Sequence, residues 1–413
     1  MFIRKVNKKT LAFTGQLINI AEISYQGNSK WNSGSFNHYV SENEEHLLIQ
    51  YNLPYVKEES EKFGFHVFDK NLETVWEKEM TLPYKEELFG IEHFRISDKG
   101  NILLLGQLYE EKKEARKRKR EGKPNYTYHV ISYTNNGETV NEYPIVVDDN
   151  FLTDMTIVED DNQDIICAGF YSDKGTFSIK GSYFLKIDGK TKNIVSKTFK
   201  EFGIDFITQN MTKREEKKVK KKEAKGKDVE LYEYDLDYLV LKEDGGAVLV
   251  GEQYFVVVHT YTSTDANGNR TTRTTTVYNY NDFIVVSLSP EGEIEWNEKI
   301  PKRQSSSNDG GFYLSYSIAL IGDNLHFIFN DHIENLNYTG KGQIKYYNGR
   351  KDGVVTLVSL DGDGRQVRES LFAVEDAGIY TRPKVSEQIS KNELIIYGQR
   401  KKTQRFAKVK FKN

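Results

Sequence analysis

Short apolar runs, each closed by Gly or another turn-tolerant residue, recur six times along the chain. They are LLIQ ending at Gln50, LLLG at Gly106, ICAG at Gly169, VLVG at Gly251, FIFN at Asn330 and IIYG at Gly398. A turn rich in Asn, Asp, Gly or Glu precedes each one, and successive runs lie about 55–80 residues apart. After a variable insert comes an alternating strand, a tight turn and a second strand, as in FHVFDKNLETVWEKE, YHVISYTNNGETVNEY, YFLKIDGKTKNIVSKT, FIVVSLSPEGEIEWNE and VTLVSLDGDGRQVRES. The unit therefore reads strand a, turn, strand b, loop, strand c, turn, strand d. The turns NNG, PEG and DGDG supply Gly or Asn where φ must be positive. Helical periodicity is nearly absent outside two Lys/Arg-rich inserts. Four strands per unit, repeated at long intervals, predict an all-β chain folded as a β-propeller with six four-stranded blades.

The ends suit that expectation. FIRKVNKKTLAFTGQLI opens the chain as a c–d hairpin without strands a and b, and VSEQISKNELIIYGQRKKTQRFAKVKF closes it as a, b and c without d. One blade closed by both termini, within a single domain spanning residues 1–413, is the expected arrangement. Seven blades, with further residues upstream, is the alternative.

Three inserts interrupt the repeat. Residues 110–124 and 211–228 are Lys/Arg-rich, and 252–286 reads as a long hairpin with Asn267-Gly268 at its tip. Glu and Lys at i, i+4 in the first two would give short exposed helices. Within them Glu110–Lys123 holds eight Lys/Arg against four Glu, and Lys213–Lys227 holds nine against three, which leaves the remaining residues at −13 although the whole chain is only −3. An acidic body with two basic arms disfavours nucleic acid as a partner, and aromatics do not interleave the lysines. Cys167 is the only cysteine, which rules out an intrachain disulfide and a thiolate metal cluster. No apolar run reaches the ~20 residues of a membrane span. MFIRKVNKKT has no apolar stretch of the kind a signal peptide needs. A start inside a blade and a wealth of Tyr, Asn and Thr point towards an extracytoplasmic bacterial setting.

Trp76 and Trp296 occupy the same place on strand d of their units. An aromatic there is expected to pack between neighbouring blades. The two hairpins resemble the D-x-x-x-G-x-x-x-W hairpins of quinoprotein-like propellers, a likeness confined to strands c and d. Trp is missing from the other units, so pyrroloquinoline quinone is not implied. WD40 dipeptides, kelch double-Gly blades and sialidase Asp boxes are absent.

Candidate chemistry falls at two places. The start of strand a, about fourteen residues before each anchor, carries Phe36 or Asn37, Glu92, Asp154, Asp237, Tyr316 and Lys384. In a propeller these positions line the central channel, where Glu92, Asp154 and Asp237 would be the acid and base of a carbohydrate-active hydrolase or lyase. The second place is the connection Lys299–Tyr316 together with the segment after FIFN. Arg303, Gln304, Asn308, Asp309, Tyr316, Asn330, Asp331, His332 and Lys384 are its candidate binding residues, on an open loop face. Asn308–Gly311 could form an anion nest or part of a calcium loop, whereas DGDG at Asp361–Gly364 reads as a hairpin turn. The eight histidines show no ligand spacing, and GxSxG, P-loop and dinucleotide fingerprints are absent. The expected function is a non-catalytic module that binds a protein, a small ligand or a glycan through its loops. The rivals are the hydrolase or lyase, and a structural subunit of a bacterial envelope or surface assembly.

Overall fold

The computed structural model spans all 413 residues and describes all but 8, 9, 11, 24–34, 54–58, 147–149, 176, 228, 243, 341, 342, 350, 351, 412 and 413. The last residue of the second basic insert, Asp228, thus lies outside the described residues. The chain is all-β, and its antiparallel sheets follow one another along the sequence. Sheet 1 comprises Ser35–Val40, His46–Asn52, Ser60–Asp69 and Thr74–Lys85 as strands a to d. Sheet 2 comprises Phe89–Ile96, Ile102–Tyr109, Tyr126–Thr134 and Thr139–Ile145. Phe151–Glu159, Ile165–Ser172, Gly181–Ile187 and Ile194–Glu201 form sheet 3. Tyr234–Leu241, Ala247–Thr264, Arg270–Leu288 and Ile294–Ile300 form sheet 4, and Ser317–Ile321, Asn324–His332, Gly353–Leu360 and Gln366–Ala373 form sheet 5. In sheet 6 strand a is split into Tyr380–Thr381 and Glu387–Ser390, both paired with Glu393–Arg400, which also pairs with Thr403–Lys410. Consecutive four-stranded meanders of this kind are consistent with a β-propeller.

The expected terminal blade is not formed among the described residues. Phe2–Val6 and Phe13–Asn19 pair only with each other. Ile20, just after this hairpin, packs with Ile49 and Phe68 of sheet 1.

The chain divides into two compact units. Unit 1 is Met1–Phe151, Thr156–Cys167 and Lys186–Val195, and unit 2 is Leu152–Met155, Ala168–Leu185 and Ser196–Asn413. In unit 1 the core gathers Leu48, Phe63, Phe65, Trp76, Phe94 and Leu104. In unit 2 Val250, Phe283, Val285, Phe327, Phe329 and Val358 do the same for sheets 4 and 5. Each fully buried apolar side chain contributes roughly 1.5–3 kcal/mol. Strand b of sheet 3, IICAGFYS, is buried at every position while strand d is largely open. This gradient explains why the b strands read as continuous apolar runs: both of their faces are covered.

The recurring Gly has a steric cause. A Cβ at Gly169 would collide with the Asp154 carbonyl oxygen of strand a, and one at Gly251 would sit 3.0 Å from the Asp235 carbonyl. Adjacent sheets also stack through a repeated contact. Trp76 lies against Gly137 in the c–d turn of sheet 2, and Trp296 lies against Gly364 in that of sheet 5 while donating to the Gly362 carbonyl (2.8 Å). Both glycines have φ near the left-handed region, +75° and +81°, where a side chain is disfavoured. DGDG is a turn: Asp361 Oδ1 accepts from the backbone N–H groups of Asp363 and Arg365.

Candidate functional site

The count back lands on breaks in strand a of sheets 2, 4 and 6, whereas in sheet 1 the pairing runs unbroken through Phe36 and Asn37, and Tyr316 stands just before strand a of sheet 5. In sheet 2 Gly106 pairs with Ile91 and Leu105 with His93, so Glu92 is the extra residue of a β-bulge. Asp237 occupies the identical place in sheet 4, between Leu236 opposite Gly251 and Tyr238 opposite Val250. In sheet 6 the break widens into a 3-10 turn, Pro383–Val385, which carries Lys384. Bulges re-aim side chains.

Within unit 2 several of these positions meet. The Tyr316 hydroxyl donates to Asp237 Oδ2 at 2.6 Å. Crowding by protein, with the nearby Glu252 charge, pushes the Asp237 carboxyl up to about 7. Lys384 Nζ donates to the Tyr280 hydroxyl (2.5 Å). Asp154 has both carboxylate oxygens engaged by backbone N–H groups, from Met155 at 2.9 Å and Leu236 at 2.7 Å, which ties sheet 3 to sheet 4. Glu92 is exposed and belongs to unit 1.

The connection Lys299–Tyr316 departs from its expected open face. Gln304, Asn330 and Asp331 are wholly buried, because the connection folds inward around a charged pair. Lys302 is fully buried, and its Nζ donates to Glu252 Oε1 (2.6 Å), Gln304 Oε1 (3.0 Å) and the Tyr280 carbonyl (3.1 Å). The Ser315 hydroxyl takes up Glu252 Oε2 (2.6 Å) and its backbone N–H donates to Gln304 Oε1 (2.7 Å). Gln304 Nε2 in turn donates to the Asn330 carbonyl (2.7 Å), and Asn330 exchanges hydrogen bonds with Thr381. Beside this network Arg368 donates to Asp331 Oδ2 (2.7 Å), while Asn335 and the His332 backbone N–H donate to Oδ1. His332 accepts from the Glu334 N–H through Nδ1. Buried polar groups hydrogen-bonded to one another in this way hold structure in place.

Asn308 fastens the long arm, and Asp309 shapes the turn beside it. Gln304–Ser307 pairs with Val277–Tyr280 on the returning strand of the hairpin. Asn308 then exchanges two hydrogen bonds with Thr276, each 2.9 Å, and Asp309 Oδ1 accepts from the Gly311 N–H. The distal part of the arm, residues 258–274, is exposed. Among the described residues no group of three or more His, Cys, Asp or Glu is placed to hold a metal ion, and no helix is long and apolar enough to cross a membrane.

An open cleft of about 430 Å³ lies elsewhere in unit 2, and the second basic insert builds one wall of it. The insert folds as α2 (Lys213–Glu223), preceded by a short turn of helix, α1 (Ile204–Thr208). Thr212 and Glu215 form a capping box at the start of α2, satisfying two otherwise unpartnered N–H groups. Gln209 and Asn210 clip the pair of helices to strand d of sheet 4. Gln209 bonds Glu298 and the Lys299 N–H, each at 3.0 Å, and Asn210 donates to the Lys299 carbonyl (3.0 Å). As a result Glu215, Lys218, Val219 and Lys222 line the cleft at i, i+3, i+4 and i+7, a single helical face. Leu231, Tyr232 and Tyr234 form the facing wall, with Lys299 and Arg303 between. Lys299 is buried, donates to the Ile207 carbonyl (2.9 Å), and desolvation pulls its ammonium down to about 8 against the pull of Asp282. Arg303 alone of the expected binding residues lines this cleft. The signal in the sequence was Val219, the one branched apolar residue inside a run of charges.

No protein-family model matches the chain, and no curated protein matches it by sequence. Among solved structures it is similar to a single-substitution mutant of Synechocystis apocarotenoid oxygenase (TM-score 0.35, 9% identity, covering 99% of this chain and 67% of that one). The cobalt-substituted form of that enzyme gives a TM-score of 0.35 at 9% identity over the same shares. A protein of unknown function from Bacteroides caccae gives 0.23 at 13% identity, covering 72% of this chain and 90% of that one. Likenesses of this size assign neither family nor activity.

Proposed function

We propose that the chain is a non-catalytic binding module whose ligand occupies the cleft between α2 and the segment Val229–Tyr234. One observation carries this reading. The buried polar residues around Lys302 are consumed by one another, whereas the cleft holds cations with no carboxylate at ion-pair distance among the described residues: Lys218, Lys222 and Arg303. Its volume and mixed lining suit a small molecule. The carboxylates Asp154 and Asp237 are tied to backbone amides and to a tyrosine, which favours positioning roles for them over acid–base work.

The test is native mass spectrometry of the purified protein. A small molecule bound one to one, and lost in Val219→Trp, is the expected result; equal retention by that variant contradicts the reading. The arm favours a second role in protein binding, because Val256, Val258 and Tyr261 stand exposed on it and its edges beyond Gln304–Ser307 are unpaired among the described residues. Deleting residues 262–274 should then abolish partner capture, and unchanged capture would contradict that role.

A further inference from the structure

Each of the three acids of the cleft already accepts a hydrogen bond from the protein, although Glu230 Oε1, 3.9 Å from Lys174 Nζ, accepts none among the described residues. Glu215 is held by Thr212 through its side chain and backbone (2.7 and 2.9 Å), Glu230 accepts from the Ser172 hydroxyl (2.8 Å), and Asp282 accepts from the Lys302 N–H (3.1 Å). The cations Lys218, Lys222 and Arg303 have no carboxylate at ion-pair distance among the described residues, and Glu215 and Asp282 act on Lys218 and Arg303 only through space. Lys218, Lys222 and Arg303 line the cleft, Arg303 with its guanidinium over the Tyr346 ring, and the ammonium of buried Lys299 donates to the Ile207 carbonyl and lies over the Phe206 ring. Between these charges the wall is apolar, made by Ile207, Met211, Val219, Leu231 and Tyr234. An ammonium or guanidinium facing an apolar, partly enclosed space is matched by an anion carried on an apolar body, since the charge-assisted hydrogen bonds strengthen as water leaves.

From this, and resting on the binding-module reading above, we infer that the cleft takes an amphipathic organic anion with one acidic headgroup: a carboxylate or phosphate ester against Arg303 and Lys222, with its apolar body along Val219, Met211 and Leu231. A ligand with several separate anionic headgroups is disfavoured, because Glu215, Glu230 and Asp282 line the same space. A cationic amphiphile would find its headgroup among lysines.

Isothermal titration with decanoate, decyl phosphate, decanol and decyltrimethylammonium tests the assignment. The expected order places both anions at least about tenfold tighter than decanol, the worth of one charge-assisted hydrogen bond, with the cation weakest. The double variant Lys222→Gln/Arg303→Gln should weaken decanoate by a similar factor while leaving decanol within about twofold, its circular dichroism and Tm unchanged, since surface charges contribute little to stability. Decanoate binding no tighter than decanol, or unaffected by the double variant, overturns the anionic class and leaves the cleft as a binding site. Undiminished decanoate binding by Val219→Trp removes the cleft itself. No binding of either anion also overturns the inference. Decyl phosphate binding without decanoate would retain the anionic class and assign the headgroup to phosphate.

Discussion

Two polar regions of unit 2 share the strand d and connection of sheet 4, and they are built on opposite plans. Around Lys302 a charged pair is sealed from water and every neighbour is spoken for. Four residues earlier along the chain, strand d instead carries the helical insert, and the cations there face an open space. The difference teaches how to separate charge that holds a fold from charge that is free to act. Burial with satisfied bonds makes Glu252, Gln304 and Asn330 structural, however functional their residue types look in a loop. Facing a cleft with no carboxylate at ion-pair distance among the described residues makes Lys218, Lys222 and Arg303 available to an anion.

Perturbing the sealed region should have the largest effect. Lys302→Met leaves Glu252 buried without its cation and is expected to cost roughly 3–5 kcal/mol of unfolding free energy, as measured by urea titration. A loss under about 1 kcal/mol, the level of an exposed pair, would erase the contrast. Next comes Gly169→Ala, expected to cost about 1–3 kcal/mol because the methyl group must push strand a away.

A smaller effect concerns the pH profile. Asp237 has a raised pKa in the folded state, about 7 against 3.8, so between those values the native protein holds a proton that the unfolded chain has released. That residue's contribution therefore falls as pH rises from about 4 to 7, then levels off. Asp237→Asn retains an acceptor for Tyr316 and removes this slope. Its Tm should match the parent near pH 4 and exceed it at pH 8; parallel profiles would contradict the assignment. The smallest expected effect is on the cleft's own stability: Lys222→Gln should stay within about 0.5 kcal/mol of the parent. A larger loss would show that this lysine, too, belongs to the scaffold.

Local chemistry made much of the fold legible. The six anchors are visible because a strand covered on both faces must be continuously apolar, and because Gly169 and Gly251 admit a close strand a. Counting from those anchors found the bulges at Glu92 and Asp237, since a repeated unit repeats its irregularities too. Trp76 and Trp296 pack on the next sheet's turn, the contact their shared position suggested. The polar partnerships were hidden. Lys302 sits in KIPKRQ, which reads as solvated, and its partner Glu252 lies fifty residues away. The helical insert docks through Gln209 and Asn210, two amides with no periodic signature, so a run of lysines reads as a loose arm when one of its faces is a wall.

Hydrogen–deuterium exchange with and without saturating decanoate tests the cleft most directly. The account predicts slowed exchange confined to the peptides covering residues 204–223 and 229–234 and the start of the connection at 299–303. Protection centred on the arm, on sheets 1 and 2, or nowhere would contradict it.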